Sequence, residues 1–141
     1  MKILARNFYR AALLAVATLS VSSIAKASSQ QPQTGDLADP VHGKTVYERC
    51  KACHSLSRNR TGPKHCGLFG RKAGTINGFD YSDAMRNSNL IWNQKTLDAF
   101  LTSPFKTIPG TTMGYGGVWN IKDRADLIAY LKKASMSEEC S

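Results

Sequence analysis

The sequence predicts a small all-α domain. Three observations carry that prediction. Capped stretches with helical apolar spacing occur at residues 40–53, 94–102 and 121–134, and no stretch reads convincingly as a strand. The segments between them are rich in glycine, basic and polar residues, as long loops are. Cys50-Lys51-Ala52-Cys53-His54 places two thiols about one helical turn apart, with a histidine directly after them.

That last run has the spacing of covalent haem attachment. Both sulfurs face one edge of a porphyrin and can form thioethers with its vinyl groups, while the His54 imidazole lies under the ring to bind iron. A zinc knuckle needs a second ligand pair at similar spacing, which Cys66 and Cys140 do not supply. A thioredoxin-like dithiol needs a βαβ context, which is absent. One covalently bound haem c also supplies the large apolar centre that so short a chain otherwise lacks.

The elements follow in order. Lys2, Arg6 and Arg10 precede an apolar run at residues 11–21 and a small-x-small site, Ala25-Lys26-Ala27. Residues 1–27 therefore read as a secretory signal peptide. A membrane anchor fits less well: the run is broken by Thr18, Ser20, Ser22 and Ser23 and is shorter than the about 20 residues a span needs. Residues 28–38 read as a flexible leader and residues 39–141 as one domain. Asp39 is a good N-cap and Pro40 suits the first helical position, so a helix is expected over 40–53, with Gly43, Val46, Tyr47 and Cys50 on one face. Residues 55–80 read as loop, and a short helix is expected at 82–87. Asn93 can cap a helix over 94–102, with Leu97, Phe100 and Leu101 on one side, ended by Ser103-Pro104. Residues 105–119, with Pro109 and four glycines, read entirely as loop. Asn120 can cap a last helix over 121–134, which brings Leu127, Ile128 and Leu131 together.

The whole chain carries 19 basic and 10 acidic residues. Cleavage after Ala27 leaves 15 basic and 10 acidic ones, a formal charge of +5. That balance suits acidic partner surfaces, and it is too weak and dispersed for nucleic acid. Secretion agrees with the haem reading, since attachment takes place outside the bacterial cytoplasm. The expectation is a periplasmic monomer without stable membrane insertion.

His54 fills one axial position of the iron. The candidates for the other are Met85, Met113, Met136, His42 and His65. Met113 is favoured, because it sits in Pro109-Gly110-Thr111-Thr112-Met113-Gly114-Tyr115-Gly116-Gly117, where glycines let backbone press against a flat ring and no apolar stripe claims the side chain. Met85 and Met136 read as packing or surface residues. His42 and His65 remain possible ligands, with a solvated surface position the expected role of each.

With these residues in place, the chain resembles the class I cytochromes c, and the mitochondrial and bacterial c2-type members most. The resemblance runs from about residue 39 to 134. It rests on the haem motif, Thr61-Gly62-Pro63, Gly67-Leu68-Phe69-Gly70-Arg71, Gly78-Phe79-Asp80-Tyr81, Trp92, the segment 109–113, and Asp126-Leu127-Ile128-Ala129-Tyr130-Leu131. It implies that Met113 is the sixth ligand and that the Pro63 carbonyl accepts a hydrogen bond from the second nitrogen of His54. It further implies that Tyr81 and Trp92 bond a buried propionate with Arg71 nearby. Gly43 and Tyr47 would pack against Leu127 and Tyr130, and Cys66 would form a disulfide with Cys140. Several positions depart from the mitochondrial pattern: Phe100 stands in place of a tyrosine, Met85 of an asparagine, and Thr112 and Phe105 of lysines.

His/Met ligation raises the potential relative to a second histidine, and with both axial positions filled the site exchanges electrons without bond chemistry. The resemblance thus implies a one-electron carrier, not an enzyme, that shuttles between respiratory or photosynthetic membrane complexes or periplasmic redox enzymes. Its partners would be a bc1-type donor and an oxidase or reaction-centre acceptor, docked through the basic residues Lys44, Arg49, Arg60 and Lys106 around the haem edge. The rivals are a haem enzyme or gas sensor with an open sixth site, and a dedicated subunit of one dehydrogenase or oxidase.

Overall fold

A computed structural model describes residues 37–141, so the expected signal peptide and most of the leader lie outside the described residues. Helix α1 spans Pro40–Tyr47, with the Asp39 carboxylate accepting from the Val41 N–H and Pro40 in the first turn. It does not run on to residue 53 as an α-helix. A 3-10 turn follows at Glu48–Cys50, and the Cys53 and His54 N–H groups both bond the Cys50 carbonyl, at 3.0 and 2.8 Å. The tighter turns satisfy the carbonyls that the end of α1 leaves free.

Helix α2 (Asp83–Asn87) is capped by Ser82, and α3 (Gln94–Thr102) by a reciprocal capping box between Asn93 and Thr96. The segment after α3 is not all loop: α4 forms at Pro104–Thr107. Pro104 stops one helix and starts the next, because it lacks an N–H and holds the φ a first turn needs. The Thr107 hydroxyl then fastens the turn to the Ala99 and Ser103 carbonyls, at 2.9 and 3.0 Å. Helix α5 spans Ile121–Ala134 under its Asn120 cap, and a 3-10 turn closes the chain at Glu138–Cys140. Among the described residues there is no strand, only an isolated antiparallel bridge between Lys72 and Ile91. None of their helices is long and apolar enough to cross a membrane.

Two clasps fix this frame. At the first, α1 crosses α5 with Gly43 against the Asp126 backbone, where a Cβ would overlap the Asp126 carbonyl. Tyr47 packs on Tyr130 with ring centroids 5.2 Å apart. The buried Asp126 carboxylate accepts from the Asp39 N–H at 2.7 Å and from Lys122 Nζ at 2.9 and 3.0 Å, and meets His42 Nδ1 at 2.8 Å. Burial opposes ionisation there, but these donors together outweigh it and hold the carboxyl at about 2. The second clasp is the Cys66–Cys140 disulfide, with Cα atoms 5.2 Å apart, beside a Gly67 N–H bond to the Ser135 carbonyl at 2.9 Å. Between the clasps, the buried side chains of Val46, Leu97, Phe100, Leu101, Leu127 and Leu131 form one core that opens onto a cavity.

Candidate functional site

The cavity measures about 350 Å³, and its wall is mostly apolar. Cys50, Cys53 and His54 enter it from the turns after α1, Pro63, His65 and Arg71 from the following loop, Tyr81, Met85 and Trp92 from the next segment, and Met113 from the loop after α4. The sequence separates these groups by up to 63 positions, and the fold brings them to one wall.

His54 is buried, and its Nδ1 lies 2.8 Å from the Pro63 carbonyl. A carbonyl can only accept, so Nδ1 carries the proton and Nε2 keeps its lone pair. Burial lowers the His54 pKa below the ordinary histidine value and so favours the neutral ligand form, with the Pro63 bond pulling the other way. Gly62 has no side chain for a reason: a Cβ there would overlap the His54 ring. Its own N–H bonds the Cys53 carbonyl at 2.8 Å, which closes the turn around the imidazole. Both thiols are free, Cys50 partly buried and Cys53 exposed. Burial pushes the Cys50 thiol up to about 11, with Arg49 pulling the other way.

Met113 is partly buried, and its N–H bonds the Thr111 hydroxyl at 3.3 Å. Gly117, at φ 110°, lies so close to the end of α3 that a Cβ would overlap the Thr102 carbonyl. The adjacent Val118 N–H bonds the Leu101 carbonyl at 2.7 Å. The Met113 loop is thereby stitched to α3.

Tyr81 and Trp92 are buried in the wall, Tyr81 against Phe79 at 4.7 Å and Trp92 against Phe100 at 5.1 Å between centroids. Burial raises the Tyr81 pKa, with Arg71 pulling it back. Arg71 reaches the cavity, yet its guanidinium is also a loop brace, donating to the Cys66 carbonyl at 2.6 Å and the Lys64 carbonyl at 3.3 Å. Met85 is buried in the cavity wall, Met136 is exposed, and His42 faces Asp126, outside the cavity.

One expectation is overturned. His65 is not a solvated surface residue. Its ring stacks on His54 with centroids 4.4 Å apart and planes 21° from parallel, and its Nδ1 lies 3.1 Å from Tyr47 Oη. No periodicity could reveal this, because residues 61–71 form an irregular loop whose side-chain directions are set by tertiary contacts.

Of the basic residues expected at a docking surface, Lys44 and Lys106 are exposed, Arg49 pairs with Asp123 at 3.3 Å, and Arg60 donates to the Lys51 carbonyl at 2.8 Å. Trp119 is 81% exposed, its indole N–H held by the Gly116 carbonyl at 3.1 Å.

The donor set fits a covalently attached haem. Two thiols sit beside a neutral imidazole with a free Nε2, a thioether lines the same cavity, and the wall is apolar. Among the described residues no group of three or more His, Cys, Asp or Glu could hold a metal ion on its own.

Comparison with known proteins agrees. The cytochrome c family model matches residues 40–135. Cytochrome c2 of Rhodomicrobium vannielii is 46% identical over 96 residues, which cover 66% of this chain and 77% of the relative. Cytochrome c2 of Blastochloris viridis is 39% identical over 115 residues, covering 79% and 84%. Among solved structures, cytochrome cH from Methylobacterium extorquens is similar with a TM-score of 0.66 and 41% identity, over 67% of this chain and 98% of that one.

Proposed function

The chain belongs to the cytochrome c family, and from that premise we propose that it is a soluble periplasmic carrier of single electrons whose haem iron is held by His54 and Met113. It has the class I cytochrome c fold and one covalent haem c, and it is a cytochrome c2-like electron carrier rather than an enzyme. The observation that carries the finer reading is the convergence of Cys50, Cys53, His54 and Met113 on one apolar cavity, with His54 Nδ1 already engaged by Pro63.

When bound, the haem supplies a one-electron iron couple whose potential methionine ligation raises. The chain's residues do the rest. Cys50 and Cys53 anchor the ring through thioethers. Pro63 fixes the His54 tautomer and makes the imidazole a better donor. Tyr81 and Trp92 would bond a propionate, with Arg71 at the same cavity to offset its charge. The apolar wall excludes water, so little rearranges when the charge on the iron changes. Cys66 and Cys140 remain oxidised in the periplasm. Donor and acceptor complexes, of the bc1 type on one side and an oxidase or reaction centre on the other, dock with help from Lys44, Arg49, Arg60 and Lys106.

The test is the optical spectrum of the periplasmic protein, oxidised and reduced. The reading expects a low-spin reduced spectrum and the weak red sulfur-to-iron charge-transfer band of the oxidised form, lost in Met113→Ala. A high-spin spectrum that shifts with carbon monoxide in the unmutated protein would replace the carrier with an open-site haem protein.

A further inference from the structure

The proximal side of the cavity holds a second histidine that the ligand set does not use. The His65 ring lies on the His54 ring, nearly parallel, with centroids 4.4 Å apart. Its other partner is Tyr47, whose hydroxyl is 3.1 Å from Nδ1 and whose ring is 5.7 Å away. The backbone around His65 is fixed from several directions. Its N–H meets the Ser55 and Leu56 carbonyls at 3.1 and 3.0 Å, immediately beyond His54. Arg71 grips the carbonyls on both sides of it, those of Lys64 and Cys66. The next residue, Cys66, is tied to Cys140.

A ring held so firmly acts on what it touches. The Pro63 carbonyl constrains one point of the His54 imidazole, its Nδ1. That bond and the nearby Gly62 backbone do not by themselves fix the tilt of the ring plane. A parallel ring against its face removes that freedom, because rotation would drive the two planes into each other. We propose that His65 is a positioning residue for His54: by stacking on the imidazole and being anchored through Tyr47, it sets the angle of the imidazole plane about the iron–nitrogen bond. This inference rests on the reading of His54 as an axial ligand.

The experiment uses the ferric holoprotein and follows the haem-methyl proton shifts, whose pattern reports the orientation of the axial ligand planes. His65→Leu should redistribute those shifts while the optical spectrum stays low-spin. His65→Phe, which keeps a ring on His54 and drops the Tyr47 bond, should restore most of the original pattern. Tyr47→Phe should shift it slightly. A role in packing alone would lower the Tm of His65→Leu and leave the methyl pattern unchanged, and that result overturns the proposal, as does an equal disturbance in His65→Leu and His65→Phe. If His65→Leu fails to hold haem, the unmutated ferrous protein decides: cross-relaxation between the ring protons of His54 and His65 is required, and its absence overturns the proposal. A protein lacking a low-spin haem altogether would sink the carrier reading instead, so the two failures are distinguishable.

Discussion

The loop beside His54 and the loop bearing Met113 reach the same cavity but are secured by different means. On the His54 side, Gly62 and Pro63 touch the imidazole directly, Arg71 braces two carbonyls, His65 covers the ring and a disulfide ties the segment to the chain's end. On the Met113 side, the residue packs against the core and its N–H bonds the Thr111 hydroxyl, while the loop gains its further hold at Val118 and Gly117 against α3. No charged residue lies between Lys106 and Lys122. The difference teaches that the fold braces the proposed His54 ligand through more direct contacts than the proposed Met113 ligand.

The sharpest way to break that comparison is a pair of glycine substitutions. Gly62→Ala puts a methyl group into the His54 ring, where neither backbone nor imidazole can give way. It should cost more than about 3 kcal/mol and collapse the yield of holoprotein. Gly116→Ala, in the other loop, adds a methyl group to open space at an ordinary φ and should change stability by less than about 0.5 kcal/mol. Haem absorbance per unit of purified protein and thermal melts read both. Equal losses would mean the two sides are equally constrained.

The next effect is that of the disulfide. Chain entropy gives about 4 kcal/mol at most for closing this loop, and less here because the haem already crosslinks the chain. Cys140→Ser should therefore lower the Tm clearly. The oxidised charge-transfer band should persist, since Met113 lies on the other loop. Loss of the band would show that the two sides are coupled through the cavity.

The Asp126 clasp holds the helix that leads into the haem motif, so it belongs to the His54 side. Its folded pKa, about 2, lies below the ordinary carboxylate value near 4. The stability it contributes is thus complete above about pH 4 and disappears as the pH falls through about 2, on the order of 2 kcal/mol in all. Asp126→Asn should lose about 3 kcal/mol at neutral pH, by replacing the buried charged acceptor that His42, Lys122 and the Asp39 N–H share with a neutral amide, and its stability should vary less across that acid window. Denaturant midpoints at stepwise pH check both statements.

Much of this is legible in the amino-acid sequence. The haem motif, the Asn93 and Asn120 caps and the apolar spacing of α3 and α5 are local signals, and each element appeared where its cap placed it. Two features were not local. In the sequence Pro104 reads only as a stop, because a four-residue helix is too short to leave a period, and α4 depends on Thr107 reaching back to Ala99. His65 belongs to a loop without periodicity, and its stacking on His54 depends on Arg71 further along that loop and on Cys140 and Tyr47, which come from two other parts of the chain. Those contacts exist only once the chain has closed around the cavity.

The smallest predicted effect concerns docking. Among the four basic residues proposed for it, Arg49 and Arg60 already have intramolecular partners. Neutralising Arg49 should therefore act chiefly by removing its ion pair with Asp123. Lys106 borders the uncharged Met113 loop and is exposed on α4. Lys106→Glu should slow electron exchange with an acidic redox partner severalfold at low ionic strength, and the gap should close as salt shortens the Debye length. Stability should be unchanged, since the side chain is exposed. Stopped-flow rates across a salt series measure this directly. A rate insensitive to both salt and Lys106 would mean that partners meet this face through its uncharged loop and the exposed Phe105 and Trp119, so that the looser ligand side is also the side where charge plays least part in recognition.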